Sequence, residues 1–530
     1  MHPFYSLSPV LTLAFSLAAE AHIQWSPCNA TEFNATKFTT KPLIFECATL
    51  DVPYDYTQPN SSETLPLELL RVPAQLQSRG SILFNLGGPG LPGRQGFIQA
   101  VATFIPLTGG EYDLVIFDTR GTGETIPLQC TEDPIEQFGM YKAQVLGNSS
   151  ENAVGTLWAR GAIDAATCYA NAMGKKDGSV MTTAFTARDM IQIVDALEED
   201  GMLRYWGLSY GTTLGATVTA MFPERVDKVI LDGVQNPHEY FHVLGNPEEW
   251  LDSDKAFSQV FEKCVEAGPK LCPLAAHNIS AKGLETIAWD LLDKLKTKPI
   301  AVGEILLDYG GFKSIFAQVL YSARNWPLLT AVVDSLVFGT KNPLATLFSN
   351  VPALSPDPAT RDEALADDKN LMGIYCGDNQ VRFSSFHDFL PTVHKLYSLS
   401  RVMGDIGIGS YSRCAQWKIK PKETYTGPFE AQTKNPILLI GNTLDGHTPL
   451  KSAYNVSQGY EGSVVLEVNG NGHASTSVPS KCTLAKVSAY WLNSTLPEPG
   501  TVCASDAPPF TDIWWPDVFK EAGVDDVLFG

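Results

Sequence analysis

Residues 204–215 read R-Y-W-G-L-S-Y-G-T-T-L-G, and this stretch says more about the fold than any other. It places Ser209 at the centre of Gly-x-Ser-x-Gly, between a strand-like run and a helix-like run. A sharp strand-to-helix turn of this kind, the nucleophile elbow, exposes a serine hydroxyl and holds its backbone under strain. Gly207 and Gly211 suit the flanks because a Cβ there would crowd the packed strand and helix. The pattern predicts Ser209 as a nucleophile at a helix N-terminus, where free N–H groups favour negative charge.

A serine hydroxyl is a weak nucleophile at neutral pH, so it needs a base beside it and an acid that orients the base. Along the chain after such an elbow, the acid comes first and the histidine second, each on a loop after the carboxyl end of a parallel strand. The segment N-P-I-L-L-I-G-N-T-L-D-G-H-T-P predicts a strand over 437–440, with Asp445 in the loop beyond it. The segment S-V-V-L-E-V-N-G-N-G-H-A-S predicts a strand over 463–468, with His473 in a Gly-rich loop. We therefore predict a triad of Ser209, Asp445 and His473.

Other residues compete for the acid and base roles. Asp445 precedes a glycine, a pair that also favours a plain tight turn. Asp232, in V-I-L-D-G-V, follows a strand as well, although a carboxylate that caps the next loop explains it better. His447 lies beside the acid loop and has no strand leading to it, so His473 is preferred. Five further histidines lie in polar or helical settings, where surface or satisfied interior roles are the default: His238, His242, His277, His387 and His394.

An oxyanion hole needs two backbone N–H donors, one after the nucleophile and one from an early loop. Tyr210 supplies the first. For the second, S-I-L-F-N-L-G-G-P-G ends an apolar strand in a glycine turn, and Gly88 is the candidate, with Gly87 in reserve. An ordinary glycine turn or a phosphate-binding loop is the alternative, although neither G-x-G-x-x-G nor a P-loop pattern is complete here.

The next strand-like run, Y-D-L-V-I-F-D-T-R-G-T-G, brings Asp118 and Arg120 to the same edge of the predicted sheet. Opposite charges this close in sequence favour a structural ion pair over a catalytic role. We therefore predict that Asp118 and Arg120 pair with each other and brace the loops.

Four segments carry a resemblance to a known family. They are N-L-G-G-P-G, F-D-T-R-G-T-G, the run from W-G-L-S-Y-G to V-I-L-D-G-V, and L-D-G-H-T-P with G-N-G-H. With them the chain resembles the α/β-hydrolase fold and, within it, the secreted serine peptidases related to prolyl iminopeptidase and tripeptidyl aminopeptidase. The resemblance implies Ser209 as nucleophile, Asp445 as acid and His473 as base. It also implies aminopeptidase-like release of short N-terminal peptides or single residues.

The chain departs from that family at two positions. Leu86 stands where prolyl iminopeptidases usually have His before the Gly-Gly-Pro-Gly turn, which argues against strict proline specificity. Glu124 occupies a position often held by Ser and changes the charge near the site.

The 530 residues suffice for a large α/β domain with a mostly parallel central sheet and an inserted, mainly helical cap. We predict a signal peptide over 1–21, core over 22–235, cap over 236–433, and core plus tail over 434–530. The cap assignment follows from amphipathic runs at 254–267 and 281–298 and from the Pro-rich V-P-A-L-S-P-D-P. The tail from Leu496 contains I-W-W-P and is expected to pack on the core through its tryptophans. Cap carboxylates that could bind a substrate amine include Glu248, Glu249 and Asp378, and the sequence does not choose among them.

Several features predict a secreted glycoprotein. An apolar stretch from about Val10 precedes Ala19-Glu20-Ala21, an A-x-A cleavage pattern, and is too short to span a membrane. Ten cysteines suit an oxidising compartment. Successive neighbours could close local loops, although sequence does not establish the pairing: Cys28 with Cys47, Cys130 with Cys168, Cys264 with Cys272, Cys376 with Cys414, Cys482 with Cys503. Glycosylation sequons begin at Asn29, Asn34, Asn60, Asn148, Asn278, Asn455 and Asn493.

A formal net charge of −20 argues against nucleic acid and anionic membranes as partners. Solvation of the surface is one explanation of this charge. The alternative is a negative field that attracts the ammonium group of a peptide with a free N-terminus. The expected partner is a peptide or small-molecule acyl substrate, without a metal or organic cofactor. An esterase or tailoring hydrolase for a small metabolite, and a catalytically silent binding protein, remain alternatives because a fold does not fix its substrate.

Overall fold

The structure is a computed structural model that describes residues 22–28, 43–131, 145–302, 305–340 and 370–524. The predicted signal peptide, the sequons at Asn29 and Asn34, and the Pro-rich segment at 351–358 lie outside these ranges.

A ten-stranded sheet forms the centre of the molecule. Its strands are β1 (Ser26–Pro27), β2 (Glu46–Pro53), β3 (Thr64–Val72), β4 (Ser81–Asn85), β5 (Asp113–Phe117), β6 (Leu203–Leu208), β7 (Val226–Asp232), β10 (Leu438–Leu444), β11 (Val464–Asn471) and β12 (Val502–Ala504), and β8 (Ile300–Val302) and β9 (Ile305–Leu307) form a separate hairpin. The order is β1-β2-β3-β5-β4-β6-β7-β10-β11-β12. In this order the pairings from β1 through β2 and β3 to β5 are antiparallel. The pairings from β5 through β4 and onward to β12 are all parallel. The predicted mostly parallel sheet is confirmed.

Alternate residues of the central strands enter opposite hydrophobic cores. Tyr205 and Leu231 pack on one face, whereas Trp206 and Ile230 pack on the other. Side chains alternate along a strand, so a strand with helices on both faces is apolar throughout. All six residues of β6 and all seven of β7 are buried.

Helices cover both faces of the sheet and form the layer above its carboxyl edge. They are α1 (Gly93–Leu107), α2 (Ala153–Ala170), α3 (Ala172–Gly178), α4 (Thr183–Ala196), α5 (Tyr210–Met221), α6 (Pro237–His242), α7 (Ser253–Leu271), α8 (Ala281–Leu295), α9 (Tyr309–Tyr321), α10 (Trp326–Phe338), α11 (Phe386–Leu399), α12 (Ile408–Ala415), α13 (Leu450–Ser457), α14 (Lys481–Asn493) and α15 (Trp515–Glu521). Residues 370–378 are also helical.

The segment between β7 and β10 is mainly helical and has a hydrophobic core of its own. Phe257, Trp289 and Phe316 pack in mutual ring contact at its centre, with centroids 4.5 to 5.2 Å apart. Helices α7 and α8 cover the two amphipathic runs, and the backbone breaks at Gly268, where φ is +74°. The exact domain bounds stay a prediction.

Helix α2, which precedes the elbow in the chain, packs against helix α12 from the later segment. The Ser412 hydroxyl donates to Leu157 O at 2.9 Å, and Gly161 lies so close to α12 that a Cβ there would be 2.8 Å from Ser412 carbon. This contact joins helices that sequence analysis assigned to different domains.

The ten cysteines form five disulfides between successive neighbours: Cys28–Cys47, Cys130–Cys168, Cys264–Cys272, Cys376–Cys414 and Cys482–Cys503. The neighbour pairing is confirmed. The tail also packs as predicted, since Trp515 is buried in the core and its indole N–H donates to Thr476 O at 2.7 Å.

Four sequon asparagines within the described ranges are exposed: Asn60, Asn148, Asn278 and Asn493. Asn455 differs, because its amide nitrogen donates to both carboxylate oxygens of Glu248 at 3.0 and 2.8 Å. A glycan on that nitrogen would break these bonds. Across the parts of the chain that the structure describes, no helix has the length and apolar character needed to cross a membrane.

Candidate active site

Ser209 lies at the turn between β6 and α5 with φ +56° and ψ −127°, a region that residues other than glycine seldom occupy. The neighbouring glycines make this turn sterically possible. A Cβ on Gly207 would stand 2.2 Å from Gly211 O, and one on Gly211 would stand 2.5 Å from Asn85 O. The elbow is therefore built as its sequence indicates, with Ser209 at the N-terminus of α5.

Asp445 and His473 meet in the loops after β10 and β11. His473 Nδ1 lies 3.1 and 3.0 Å from the two carboxylate oxygens of Asp445. The buried carboxylate also accepts from the backbone N–H groups of His447, Thr448 and Ala474 at 2.9, 2.9 and 3.0 Å. Burial by itself would raise the pKa of Asp445, but the His473 charge and these donors outweigh it and lower that pKa. Asp445 is thus ionised and accepts the hydrogen bond from Nδ1 of the imidazole.

Asp232 connects the elbow with the histidine loop. Its carbonyl accepts from Ser209 N at 3.1 Å, and its buried carboxylate accepts from Ser475 N at 2.7 Å and Ser475 Oγ at 2.6 Å. Asp232 therefore caps the loop that carries His473. Among the described residues no hydrogen bond joins the Ser209 hydroxyl to His473, and such bonds often tighten only when substrate binds.

The Gly-Gly-Pro-Gly turn lies directly against Ser209. A Cβ on Gly87 would be 2.6 Å from Ser209 Cβ, so only glycine permits this approach. Gly87 N–H already donates to Asn85 Oδ1 at 2.9 Å, whereas Gly88 N–H has no partner among the described residues. This difference favours Gly88 over Gly87 as the second donor beside Tyr210.

Two family models match the chain in the regions that hold these loops. A model described as alpha/beta hydrolase fold matches residues 80–268, which include Ser209, and one described as TAP-like protein matches residues 400–503, which include Asp445 and His473. The chain is an α/β hydrolase.

Relatives of this α/β hydrolase are similar over nearly their whole length. Tripeptidyl aminopeptidase of Streptomyces coelicolor is 26% identical over 530 residues, covering 94% of this chain and 88% of that protein. Serine protease Hip1 of Mycobacterium tuberculosis is 26% identical and covers 91% of each chain. A protein of the same species named carboxylesterase B is also 26% identical, over 91% of this chain and 89% of its own. The hydrolase is thus similar both to serine peptidases and to a carboxylesterase.

His447, the competing histidine, lies beside His473 in this hydrolase. Its ring packs 4.0 Å from that of Tyr321 and 5.2 Å from that of His473. Burial, reinforced by the His473 charge, lowers the pKa of His447 to about 3, so it is a neutral packing group. Only its backbone N–H contacts Asp445, which leaves His473 as the histidine paired with the acid.

The predicted pair of Asp118 and Arg120 is wrong. Asp118 instead binds Arg94, whose backbone N–H and Nε donate to it at 3.0 and 2.9 Å. Arg120 is fully buried and forms a two-pronged pair with Asp189 on α4, at 2.7 and 2.9 Å. Asp118 and Arg120 therefore form two separate ion pairs, each with a partner distant in sequence.

The three cap carboxylates differ in how fully they are engaged. Glu248 accepts from Ser452 and Asn455, and Asp378 accepts from Thr183 and Tyr240. Glu249 is bound by Gln235 and, at 3.4 Å, by Asn246. Burial raises the pKa of Glu249 to about 7, and its negative charge in turn helps to raise the pKa of His473.

Proposed function

We propose that this α/β hydrolase is a secreted serine aminopeptidase that releases single residues or short peptides, including tripeptides, from free N-termini. The observation that carries the proposal is the Asp445–His473 pair, whose histidine loop is joined to the Ser209 elbow through Asp232. The chain is also similar to tripeptidyl aminopeptidase over 94% of its length. Five disulfides support the secreted location, because such bonds persist in oxidising compartments.

In the proposed mechanism Ser209 attacks the amide carbonyl while His473 Nε2 accepts the hydroxyl proton. Asp445 keeps a proton on Nδ1, so the basic lone pair faces the serine, and it stabilises the imidazolium that forms. The N–H groups of Tyr210 and Gly88 stabilise the oxyanion. His473 then protonates the leaving amine, and water repeats the sequence on the acyl-enzyme to release the acid and restore Ser209.

Glu249 is the carboxylate that we assign to the substrate ammonium. Its charge acts on His473, and the adjacent Trp250 lies with its ring 6.4 Å from that of His447. The amide of Gln235 holds one of its oxygens, and Thr213 of α5 donates to that same amide at 2.6 Å. Glu249 is therefore linked through Gln235 to the helix that starts after the nucleophile.

Glu249→Gln is expected to raise KM for a free-amine tripeptidyl anilide about tenfold or more, with a smaller change in kcat, because a charged hydrogen-bonded contact is lost. In the wild type KM should rise as pH falls below about 7, where Glu249 becomes protonated and neutral. KM should also rise above roughly pH 8, where a peptide amine loses its charge. Because both effects depend on the charge pair between Glu249 and the ammonium group, Glu249→Gln should weaken both. Its KM should therefore vary less with pH than that of the wild type.

The matched control is Glu248→Gln. Glu248 is engaged by Ser452, Asn455 and Asn236, so this change should lower thermal stability and leave the preference for a free amine intact. Equal KM for wild type and Glu249→Gln across the pH range would remove Glu249 from the proposal.

The pH dependence of Ser209 reactivity provides a test of the base. Burial lowers the pKa of His473, but Asp445, Asp232 and Glu249 outweigh it and raise that pKa above the ordinary 6.5. Only the neutral imidazole accepts the serine proton, so the rate of inactivation by a serine-directed phosphonate should increase with pH, with a midpoint above 6.5. Asp232→Asn should move that midpoint downward, and an unmoved midpoint would count against His473 as base.

Esterase activity is the second candidate, and the similarity to carboxylesterase B favours it. The same acyl-enzyme chemistry cleaves esters, including those of small metabolites. Hydrolysis of one tripeptidyl anilide, compared between its free and acetylated forms with Ser209→Ala as blank, distinguishes the two. Cleavage of only the free form supports the aminopeptidase. Cleavage of neither, together with rapid hydrolysis of an aryl ester, would replace it with the esterase.

A further inference from the structure

Asp378 is a buried carboxylate that the proposed mechanism leaves unused. It is the last residue of the helical segment 370–378 and lies two positions after Cys376, whose disulfide partner is Cys414 on α12. Its side chain is only 1% exposed. The segment that carries it is thus fastened covalently to the helical layer while its carboxylate faces the core.

Each partner of this carboxylate among the described residues can donate to it. Thr183 at the start of α4 gives it the backbone N–H at 2.9 Å and the hydroxyl at 2.6 Å, and the Tyr240 hydroxyl lies at 3.1 Å. Thr183 Oγ1 also lies 2.7 Å from the hydroxyl of Tyr210. An ionised carboxylate only accepts, so the Thr183 hydroxyl donates to it and must accept from Tyr210. Burial raises the pKa of Asp378 to about 7, so the proton order from Tyr210 through Thr183 to Asp378 holds above about pH 7, where the carboxylate is ionised.

This series of hydrogen bonds ends at Tyr210, the residue that follows the nucleophile in sequence. Tyr210 is the first residue of α5 and is 2% exposed, and its ring also packs 5.6 Å from that of Tyr240. Anchoring the side chain restricts rotation of the Tyr210 backbone, whose N–H must point at the oxyanion. A donor of this kind is effective only when it is aimed in advance, because stabilisation depends on preorganised geometry.

We propose that Asp378 is a positioning residue that acts through Thr183 and the Tyr210 hydroxyl to aim the Tyr210 backbone N–H at the oxyanion. This inference rests on the proposed function, since it requires Ser209 to be the nucleophile. It applies equally to amide and ester substrates, because both form the same oxyanion.

Two substitutions interrupt this series of hydrogen bonds with little loss of side-chain volume. Tyr210→Phe removes one oxygen and leaves the backbone N–H in place, and Thr183→Val removes the central hydroxyl. Each is expected to lower kcat about tenfold, less than the 10²-fold or greater loss on deleting a donor outright, with KM within about twofold of wild type. Thr183→Ser keeps the hydroxyl and is expected to retain at least half of wild-type kcat.

Active sites are counted with a serine-directed phosphonate so that rates refer to folded enzyme, and Tm is recorded for each variant. If these hydrogen bonds served only stability, both substitutions would lower Tm and leave kcat per active site unchanged. Wild-type kcat in both Tyr210→Phe and Thr183→Val overturns the inference, and if Thr183→Val does not fold, Tyr210→Phe alone decides. A wild-type enzyme that neither turns over substrate nor reacts with the phosphonate would instead overturn the proposed function, and the inference with it.

Discussion

Ser209→Ala is expected to lower kcat for a tripeptidyl anilide at least about 10⁴-fold, because the acyl-enzyme can no longer form. The change removes one hydroxyl that makes no hydrogen bond among the described residues, so Tm should stay close to that of the wild type. Substrate KM should also change little. The measurement is steady-state hydrolysis at enzyme concentrations high enough to detect the residual rate.

Ser398→Ala serves as the control for this change. Ser398 is exposed on α11, and within the described ranges its hydroxyl donates only to Lys395 O. It should behave as wild type in every assay. A Ser209→Ala enzyme that keeps more than roughly a thousandth of wild-type turnover would exclude Ser209 as the nucleophile.

Asp445→Asn is expected to lower kcat at least about 10³-fold while the protein stays folded. The amide nitrogen would donate to His473 Nδ1, which places the imidazole proton on Nε2 and leaves no lone pair for the serine hydroxyl. The Ala474 N–H, which donates to Asp445 Oδ2 at 3.0 Å, would then face the new amide N–H group, a donor instead of an acceptor. A loss of about 1–3 kcal/mol in the free energy of unfolding should therefore accompany the kinetic effect.

Asp232→Asn is the informative comparison. Asp232 is buried at the end of the neighbouring strand, and it contacts Ser475 in place of His473. The Asp232→Asn enzyme should lose about as much stability as Asp445→Asn but keep most of the wild-type turnover. Equal kinetic losses in the two variants would mean that Asp445 acts only by holding the loops together.

Local signals in the sequence predicted the settings of the three candidate triad residues, whose catalytic roles stay a prediction. The Gly-x-Ser-x-Gly turn and the strand-then-loop settings of Asp445 and His473 each occupy a short stretch, and parallel strands necessarily bring their carboxyl ends to one edge. The strands extend beyond the predicted ranges, to Leu444 and Asn471, because backbone pairing continues after the apolar run ends. The cysteine pairs were also correct, as each joins neighbours in sequence.

Contacts between distant residues were not predictable in the same way. Arg120 pairs with Asp189, 69 positions away, because only the folded chain brings α4 beneath that loop. The proposed choice of Glu249 over Glu248 depends on how fully each carboxylate is already engaged by hydrogen bonds, and adjacent residues in one sequence give no sign of it. The contact of α2 with α12 arises likewise from packing between separate segments.

The central claim is that His473 and Asp445 activate Ser209, and a serine-directed fluorophosphonate with peptide mapping by mass spectrometry tests it most directly. The account predicts one adduct per chain, located on Ser209, with labelling at least about a hundredfold slower in His473→Ala and near the wild-type rate in His447→Ala. An adduct on another residue, or labelling of Ser209 that does not depend on His473, would contradict it.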